Sequence, residues 1–404
     1  MHLLRRFTWY PYHAMRTVLH NSYMNWLLVF VPVGLTAGAL GWADEAVFFL
    51  NLLAIIPLAY WIALLIGDVS AKTGQVPSGL LKATLGNTVE MAVGIIALRQ
   101  GRVRIVQSTL VGSILCYSLL VLGSSILFAS YNIEKLQFDQ LLIGIMSSLM
   151  MVVSISLIIP AIMAYTSSSS SSPESGTTEK DMLVLSHGTA IILFILFIIY
   201  LRFHHKTHAC LFQNAPSDGP VPANGDSHEV AEDEPAPTRR RFWTAGSILL
   251  ASTLCVFRCA SYLVDSIDGS AKALNVSTAF VSLVLIPAVG NAAKYAALVA
   301  ISRRQQIDVV IRAIIGSILH ITLLITPLLV LLGWIIQQPM TLDFDSFVAI
   351  VAFTAIMVMI YLIQDGQTNY FEGAMLMGTY VIIAVAFCMR PDIQSHAVTV
   401  KPRL

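Results

Sequence analysis

The chain has 404 residues, of which 56% are hydrophobic and 12% charged, with a mean hydropathy of +0.75 and a formal net charge of +1. Soluble globular domains carry about 25% charged residues, so the composition points to an integral, multi-pass membrane protein surrounded by the lipid bilayer. The small net charge gives nucleic-acid binding no support.

Along the chain, a basic, aromatic lead with Arg5, Arg6 and Arg16 precedes the first long apolar run, which starts near Trp26. That lead is long for a cleaved signal, so residues 1–45 read as an N-terminal segment and a first span. A helix needs about 20 apolar residues to cross the hydrocarbon core. Such runs lie near 25–42, 46–66, 79–98, 105–130, 138–165, 182–203, 242–267, 276–301, 309–335, 346–363 and 373–389. The expected fold is therefore an all-α polytopic membrane protein of about 11 transmembrane helices. A serine-rich stretch from Thr166 reads as a loop, and residues 204–241 form the longest hydrophilic piece, closing on Arg239-Arg240-Arg241. Its mixture of Pro, Gly and acids reads as disorder. It leaves one peripheral span and a first five-span unit (46–203) before it, a second unit (242–389) after it, and a tail at 390–404.

Lysine and arginine in the connecting segments set orientation. With the N-terminus in the cytosol, thirteen fall on the cytosolic side and eight on the other, which favours that placement and makes the long loop cytosolic. Five cysteines (Cys116, Cys210, Cys255, Cys259, Cys388) form no CxxC pair and read as small packing residues. Asp265 and Asp268 near a span end read as solvated, Asp365 and Glu372 as turn and capping groups, and Arg312 as a snorkelling cation.

Two segments repeat. "LGNTVEMAVGIIALRQGRVRIVQSTLVGSIL" and "VGNAAKYAALVAISRRQQIDVVIRAIIGSIL" share one register: Gly86-Asn87 and Gly290-Asn291 are 204 residues apart, as are Gly112-Ser113 and Gly316-Ser317. Five spans separate the copies, and an odd number inverts the second relative to the membrane. Inverted repeats of this kind place a substrate site near the bilayer midplane, where discontinuous helices meet. Gly86, Gly290, Gly112 and Gly316 are candidates for close backbone approach. Glycine packing does not account for Asn87, Glu90, Asn291 and Lys294 within apolar runs. Asn87 and Glu90 are three apart and share a helix face, as do Asn291 and Lys294. The pseudo-twofold axis would bring Glu90 toward Lys294, with Thr109, Ser113, Ser317 and His320 lining the same cavity. Asparagine amides and carboxylates are hard oxygen donors that suit Ca²⁺, so Glu90, Asn87 and Asn291 are the candidate metal ligands. A carboxylate that alternately holds a cation and a proton is the simplest coupling device for an antiporter.

From about Asn51 to Cys388 the chain resembles the calcium/proton exchangers of fungal and plant vacuoles, within the cation/calcium exchanger superfamily. The strings that carry the resemblance include "NLLAIIPLA", "GNTVEMAVGIIALRQGRVRIVQSTLVGSILCYSLLVLG", "SYLVDSID", "IPAVGNAAKYAALVA", "GWIIQQPMTLDF" and "YLIQDGQTNYFEGAMLMGTYVIIA". The resemblance implies eleven spans, two inverted five-span halves, an acidic cytosolic loop, a vacuolar membrane location, and exchange of Ca²⁺ for H⁺ at the two glycine-asparagine motifs. It assigns ligand roles to Gly86, Asn87 and Glu90, and matches Gly290 and Asn291. Departures cluster at the site. Lys294 and Tyr295 stand where the family has Glu and His. Tyr117 stands where an asparagine is usual, and Ile318 and His320 lie in a changed "GSSIQ" string. Ser261 replaces a customary acid, and "LLIGDVS" around Gly67 lacks the usual Thr-Glu.

Three readings of Lys294 stay open. It pairs with Glu90 and a tethered ammonium takes the place of one cation; like-charge repulsion of several kcal/mol at ~4 Å then disfavours Ca²⁺, and the chain is a transport-deficient or regulatory paralogue, or exchanges a monovalent cation for protons. Alternatively, lysine is neutral and shares the site with an ion. In the third reading it snorkels elsewhere. An enzyme has no footing: no nucleophile–base pair, phosphate loop or metal-ligand spacing is present. No cofactor is expected, only transported Ca²⁺ and H⁺; homo-oligomerisation stays open.

Overall fold

In the computed structural model, residues 23–70, 74–131, 133, 135–169, 175–204, 239–304 and 306–389 are described. Most of the hydrophilic loop expected at 204–241 and the tail at 390–404 lie outside them. The described chain is almost entirely helical. In order it forms α1 (Phe30–Leu40), α2 (Asp44–Ser70), α3 (Gln75–Leu85), α4 (Thr88–Arg99), α5 (Val103–Ala129), α6 (Gln140–Ser169) and α7 (Ser175–Arg202). After the hydrophilic loop come α8 (Arg239–Asp265), α9 (Ile267–Leu274), α10 (Thr278–Gly290), α11 (Ala292–Arg303), α12 (Ile307–Ile335), α13 (Ser346–Gln364) and α14 (Tyr370–Met389). Two residue pairs, β1 (Leu136–Gln137) and β2 (Gln367–Thr368), join antiparallel.

Eight of these helices are long and apolar enough to cross a membrane by themselves: α2, α5, α6, α7, α8, α12, α13 and α14. The other three expected runs are broken or short. Residues 79–98 are bent by 65° between Pro77–Leu85 and Thr88–Arg99. Residues 276–301 are divided at Asn291 into α10 and α11, while α9 folds back on α10 by 115°. The first run, Trp26–Leu40, is a shorter apolar helix. Both interior breaks fall at Gly-Asn. Glycine is costly in a helix interior, and the asparagine amide competes with the backbone for hydrogen bonds. At the first break Asn87 leaves helical geometry (φ −119°, ψ 38°), and its Nδ2 donates to the Ala83 carbonyl at 3.0 Å.

The 204-residue offset seen in the sequence recurs in the elements. Thr88–Arg99 shifted by 204 is Ala292–Arg303, the bounds of α11. Helices α5 and α12 each carry an interior π-helical turn, Cys116–Val121 and Ile321–Ile325, at matching places. Such turns redirect the side chains around them and are frequent near functional sites.

Contacts between connecting segments fix which helix ends share a face. Phe138 N donates to the Gly366 carbonyl, Asp139 N to Asp308 Oδ1 (2.7 Å) and Gln140 Nε2 to the Asp365 carbonyl. On the opposite face, Gln100 Nε2 donates to Asp265 Oδ1 (2.7 Å), Arg102 pairs with Asp268 (3.1 Å) and donates to the Val264 carbonyl, and Gln107 Nε2 donates to the carbonyls of Thr341 and Asp343. Every one of these contacts joins segments that an eleven-crossing path puts on the same side. Among the described residues, length and composition give eight candidate crossings, or ten when the bent pairs α3–α4 and α9–α10 each count as one. Asp265 and Asp268 are exposed, as expected, and from the surface they also tie the α8–α9 corner to the α4–α5 corner. At the turn before α14, Asn369 Oδ1 accepts from the backbone N–H of Phe371 and Glu372, and Glu372 accepts from Thr368 Oγ1 (2.7 Å), the capping roles expected there.

One apolar core runs through both halves. Close approach is made by small residues, as is usual where lipid provides no hydrophobic drive between helices. A Cβ on Gly123 of α5 would meet the Gly373 carbonyl of α14 at 2.8 Å, and one on Gly373 would meet the Gly123 carbonyl at 2.7 Å. Helix α1 docks on α2 through Asn51, fully buried, whose Nδ2 donates to the Gly34 carbonyl (3.1 Å). It also docks on α8, where Tyr262 fills the space beside Gly38.

Candidate functional site

The two breaks meet. A Cβ on Gly290 would lie 3.2 Å from Val89 Cγ1, so the end of α10 abuts the start of α4. Between them a cavity of about 10 Å³, room for roughly one water molecule, is lined by Ala59 and Ile62 of α2, Gly86, Glu90, Gly290, Asn291 and Lys294, among others. Asn87, Glu90 and Asn291 are only 2–3% exposed. The polar side chains come from the starts of the half-helices α4 and α11.

The Lys294 ammonium does not hydrogen-bond Glu90. Its Nζ donates to Asn87 Oδ1 at 2.9 Å and sits 5.6 Å from the centre of the Tyr117 ring. The Tyr117 hydroxyl, on the π-helical turn of α5, donates to Asn291 Oδ1 at 2.9 Å. Asn291 lines the cavity and Asn87 is tied to it through Lys294, and each asparagine oxygen accepts a donor from the other half of the chain. Both carboxylate oxygens of Glu90 are buried and have no hydrogen-bond partner among the described residues. A buried carboxylate without donors is costly; a site that periodically supplies a cation or a proton there accounts for it.

The sequence-derived candidates separate on this geometry. Asn87, Glu90, Asn291 and Lys294 come together as expected from the repeat. Thr109, Ser113, Ser317 and His320 do not line the cavity. Thr109 and Ser113 are buried with unpartnered hydroxyls on α5. Ser317 donates to the Ala313 carbonyl (2.9 Å) and lies beside the Tyr117 phenol. His320 packs edge-on against Phe197 of α7, with ring centroids 6.3 Å apart. The motif glycines also differ. A Cβ on Gly112 would overlap the Leu283 backbone of α10, whereas Gly316 has nothing within 4 Å. Tyr117, named above among the departures at the site, makes a contact with Asn291 that sequence reasoning did not anticipate. Its signal was present: it follows Ser113 by four residues and so shares that helix face. Among the described residues no group of three or more His, Cys, Asp or Glu side chains is arranged to hold a metal.

Chemically the site offers the two Glu90 oxygens and two amide oxygens, a hard-oxygen set of the kind that binds Ca²⁺ and related cations. Residues 45–205 and 244–389 match the family described as sodium/calcium exchanger protein. The chain belongs to the sodium/calcium exchanger family. This exchanger is 38% identical to the "Vacuolar calcium ion transporter" of Schizosaccharomyces pombe over 377 residues, 93% of this chain and 87% of that one. It is 32% identical to the "Ca(2+)/H(+) antiporter" of Synechocystis over 373 residues, 91% of this chain and 97% of the other. The solved structure of native YfkE superposes with a TM-score of 0.74 at 25% identity, covering 91% of this chain and all of that one. The exchanger is accordingly a multi-pass membrane transporter and not an enzyme.

Proposed function

We propose that this chain is a secondary-active cation/proton antiporter that exchanges Ca²⁺ for H⁺ across the vacuolar membrane and so serves calcium homeostasis. The observation that carries the reading is the meeting of two repeat-related Gly-Asn breaks at one small cavity bordered by a buried carboxylate that has no hydrogen-bond donor among the described residues. Glu90 takes the transported charge, a proton in one phase and the cation in the other. Asn87 and Asn291 add neutral oxygens that hold the cation without adding charge. Each half supplies one broken helix, so rocking of the halves about the breaks opens the cavity to one face and then the other. Residues 46–203 and 242–389 are the two halves, and 204–241 is the loop between them. The excess of Lys and Arg on one set of connecting segments puts the N-terminus and that loop in the cytosol. The names of the relatives, calcium transporters of vacuoles and Ca²⁺/H⁺ antiporters, support both the ion and the membrane.

The test is flux. Vesicles containing the full chain, acidic inside, take up Ca²⁺ when the pH gradient is imposed, and the gradient collapses as Ca²⁺ enters. Mn²⁺, Na⁺ and K⁺ are run in parallel. Dissipation of the gradient by Na⁺ or K⁺ but not by Ca²⁺ would overturn the assignment of the ion.

A further inference from the structure

The exchanger family's site is read as a set of oxygens open to a cation. In this chain both amide oxygens of the set are covered by cationic or polar hydrogens of the chain itself. Lys294 Nζ lies 2.9 Å from Asn87 Oδ1, and the Tyr117 hydroxyl lies 2.9 Å from Asn291 Oδ1. The two caps touch: the ammonium lies 5.6 Å from the centre of the Tyr117 ring, within the range of a cation–π contact. Lys294 and Asn291 both line the cavity that Glu90 borders.

We propose that Lys294 is a tethered occupant of the cation site, docked on Asn87 and held over Tyr117, so that an incoming divalent cation must displace its ammonium before it can bind. The proposal rests on the exchange reading above and specifies what sets the site's affinity. Two physical effects act together. The ammonium takes the Asn87 oxygen that the cation needs, and its charge repels a second cation near one carboxylate. Tyr117 acts similarly but more weakly, because its hydroxyl is neutral and can rotate to leave Asn291 Oδ1 free. Lys294 lies at the repeat position of Glu90, so the two halves contribute opposite charges to one site. A chain built this way releases Ca²⁺ readily and loads only where Ca²⁺ is abundant enough to compete with its own lysine.

The test uses the full chain, purified in detergent and reconstituted in vesicles. Ca²⁺ half-saturation is measured twice, by proton-driven uptake and by calorimetric binding to the purified protein. Lys294→Ala should lower the half-saturation at least tenfold, and Tyr117→Phe about threefold. Lys294→Met, which keeps length and apolar packing, serves in place of the alanine variant if that one does not elute as a single folded species. The diagnostic readout is competition. Added ethylammonium should compete with Ca²⁺ in Lys294→Ala and leave the native chain unaffected, while ethanol should act on neither. A lysine with a merely structural role would not produce competition specific to a cation. Half-saturation within twofold of native in both Lys294 variants, or no competition by ethylammonium in a folded Lys294→Ala, would overturn the proposal. If binding tightens as expected while neither native nor variant chains show flux, the exchange reading fails and the tethered-occupant assignment stands. Flux in the native chain without tightening in the variants gives the reverse result.

Discussion

Gly112 and Gly316 occupy the same place in the two repeats and carry the same following residues, Ser-Ile-Leu. Replacing each by alanine should nevertheless have opposite effects. A Cβ on Gly112 would lie 2.7 Å from the Leu283 carbonyl carbon and 2.8 Å from its Cα, well inside van der Waals contact. The obstacle is backbone, so no rotamer change relieves it, and α5 and α10 must separate by roughly 1 Å. Overpacking of this kind costs about 1–3 kcal/mol. Around Gly316 nothing lies within 4 Å, so alanine there meets no clash. It should gain up to about 1 kcal/mol from the better helix propensity of alanine. The two variants should therefore differ by about 1–4 kcal/mol, with Gly112→Ala melting below the native chain in detergent and Gly316→Ala melting at or above it. The displacement also reaches the site. Tyr117 lies on the same helix as Gly112, and Asn291 follows the helix that Leu283 belongs to, so their 2.9 Å hydrogen bond should loosen. Gly112→Ala should change Ca²⁺ half-saturation as well as the melting midpoint, and Gly316→Ala should change neither by much. Thermal midpoints read by fluorescence-detected gel filtration, with uptake measured on the same preparations, settle it. Equal destabilisation by both substitutions would refute the close approach of α5 to α10.

Glu90→Gln should reduce proton-driven Ca²⁺ uptake to background while leaving the melting midpoint unchanged or higher, because a buried neutral amide costs less to desolvate than an ionised carboxylate in the same place; retained uptake removes Glu90 from the mechanism. Arg102→Ala removes the pair with Asp268 and the bond to the Val264 carbonyl; with the two side chains 29% and 52% exposed, the pair is worth no more than about 1 kcal/mol. A small loss of stability with uptake intact is expected, and abolished uptake would show that the corner between α8 and α9 moves during transport. Asp343, in the segment between α12 and α13, has its carboxyl raised above the usual 3.8 by burial, with Arg104 opposing and Asp345 adding to the shift. The native state thus holds this proton more tightly than the unfolded chain, and its contribution to stability is lost as pH rises from 3.8 through the raised value. Asp343→Asn should abolish that fall in melting midpoints measured across the same window; an unchanged profile would remove Asp343 as its source.

Much of this protein could be read along the chain. Apolar run length located the eight helices that can cross alone, since a backbone in lipid must satisfy its own hydrogen bonds and about 20 residues are needed to span it. The 204-residue register located the two breaks, and Thr88–Arg99 and Ala292–Arg303 follow it to the residue. The clustering of Asn87, Glu90, Asn291 and Lys294 followed from intramembrane polarity, because such residues are too costly to leave facing lipid. These are properties of period, composition and spacing, and each is local or repeats at a constant interval.

What tertiary structure decided was pairing. Charge alone suggested Glu90 with Lys294, but the helices are rotated and staggered so that the ammonium reaches Asn87 and leaves the carboxylate without a donor. Tyr117, on the π-helical turn of α5, became a partner of Asn291 through packing that its spacing along the chain does not state. His320, which shares a helix with Ser317, faces Phe197 instead. The two motif glycines, alike in sequence, separated into one that packs against backbone and one in open space. The spacing of residues along a helix states which side chains share a face. Which neighbour that face meets depends on the rotation and offset of helices far apart in sequence, and only the packing of the whole bundle sets those.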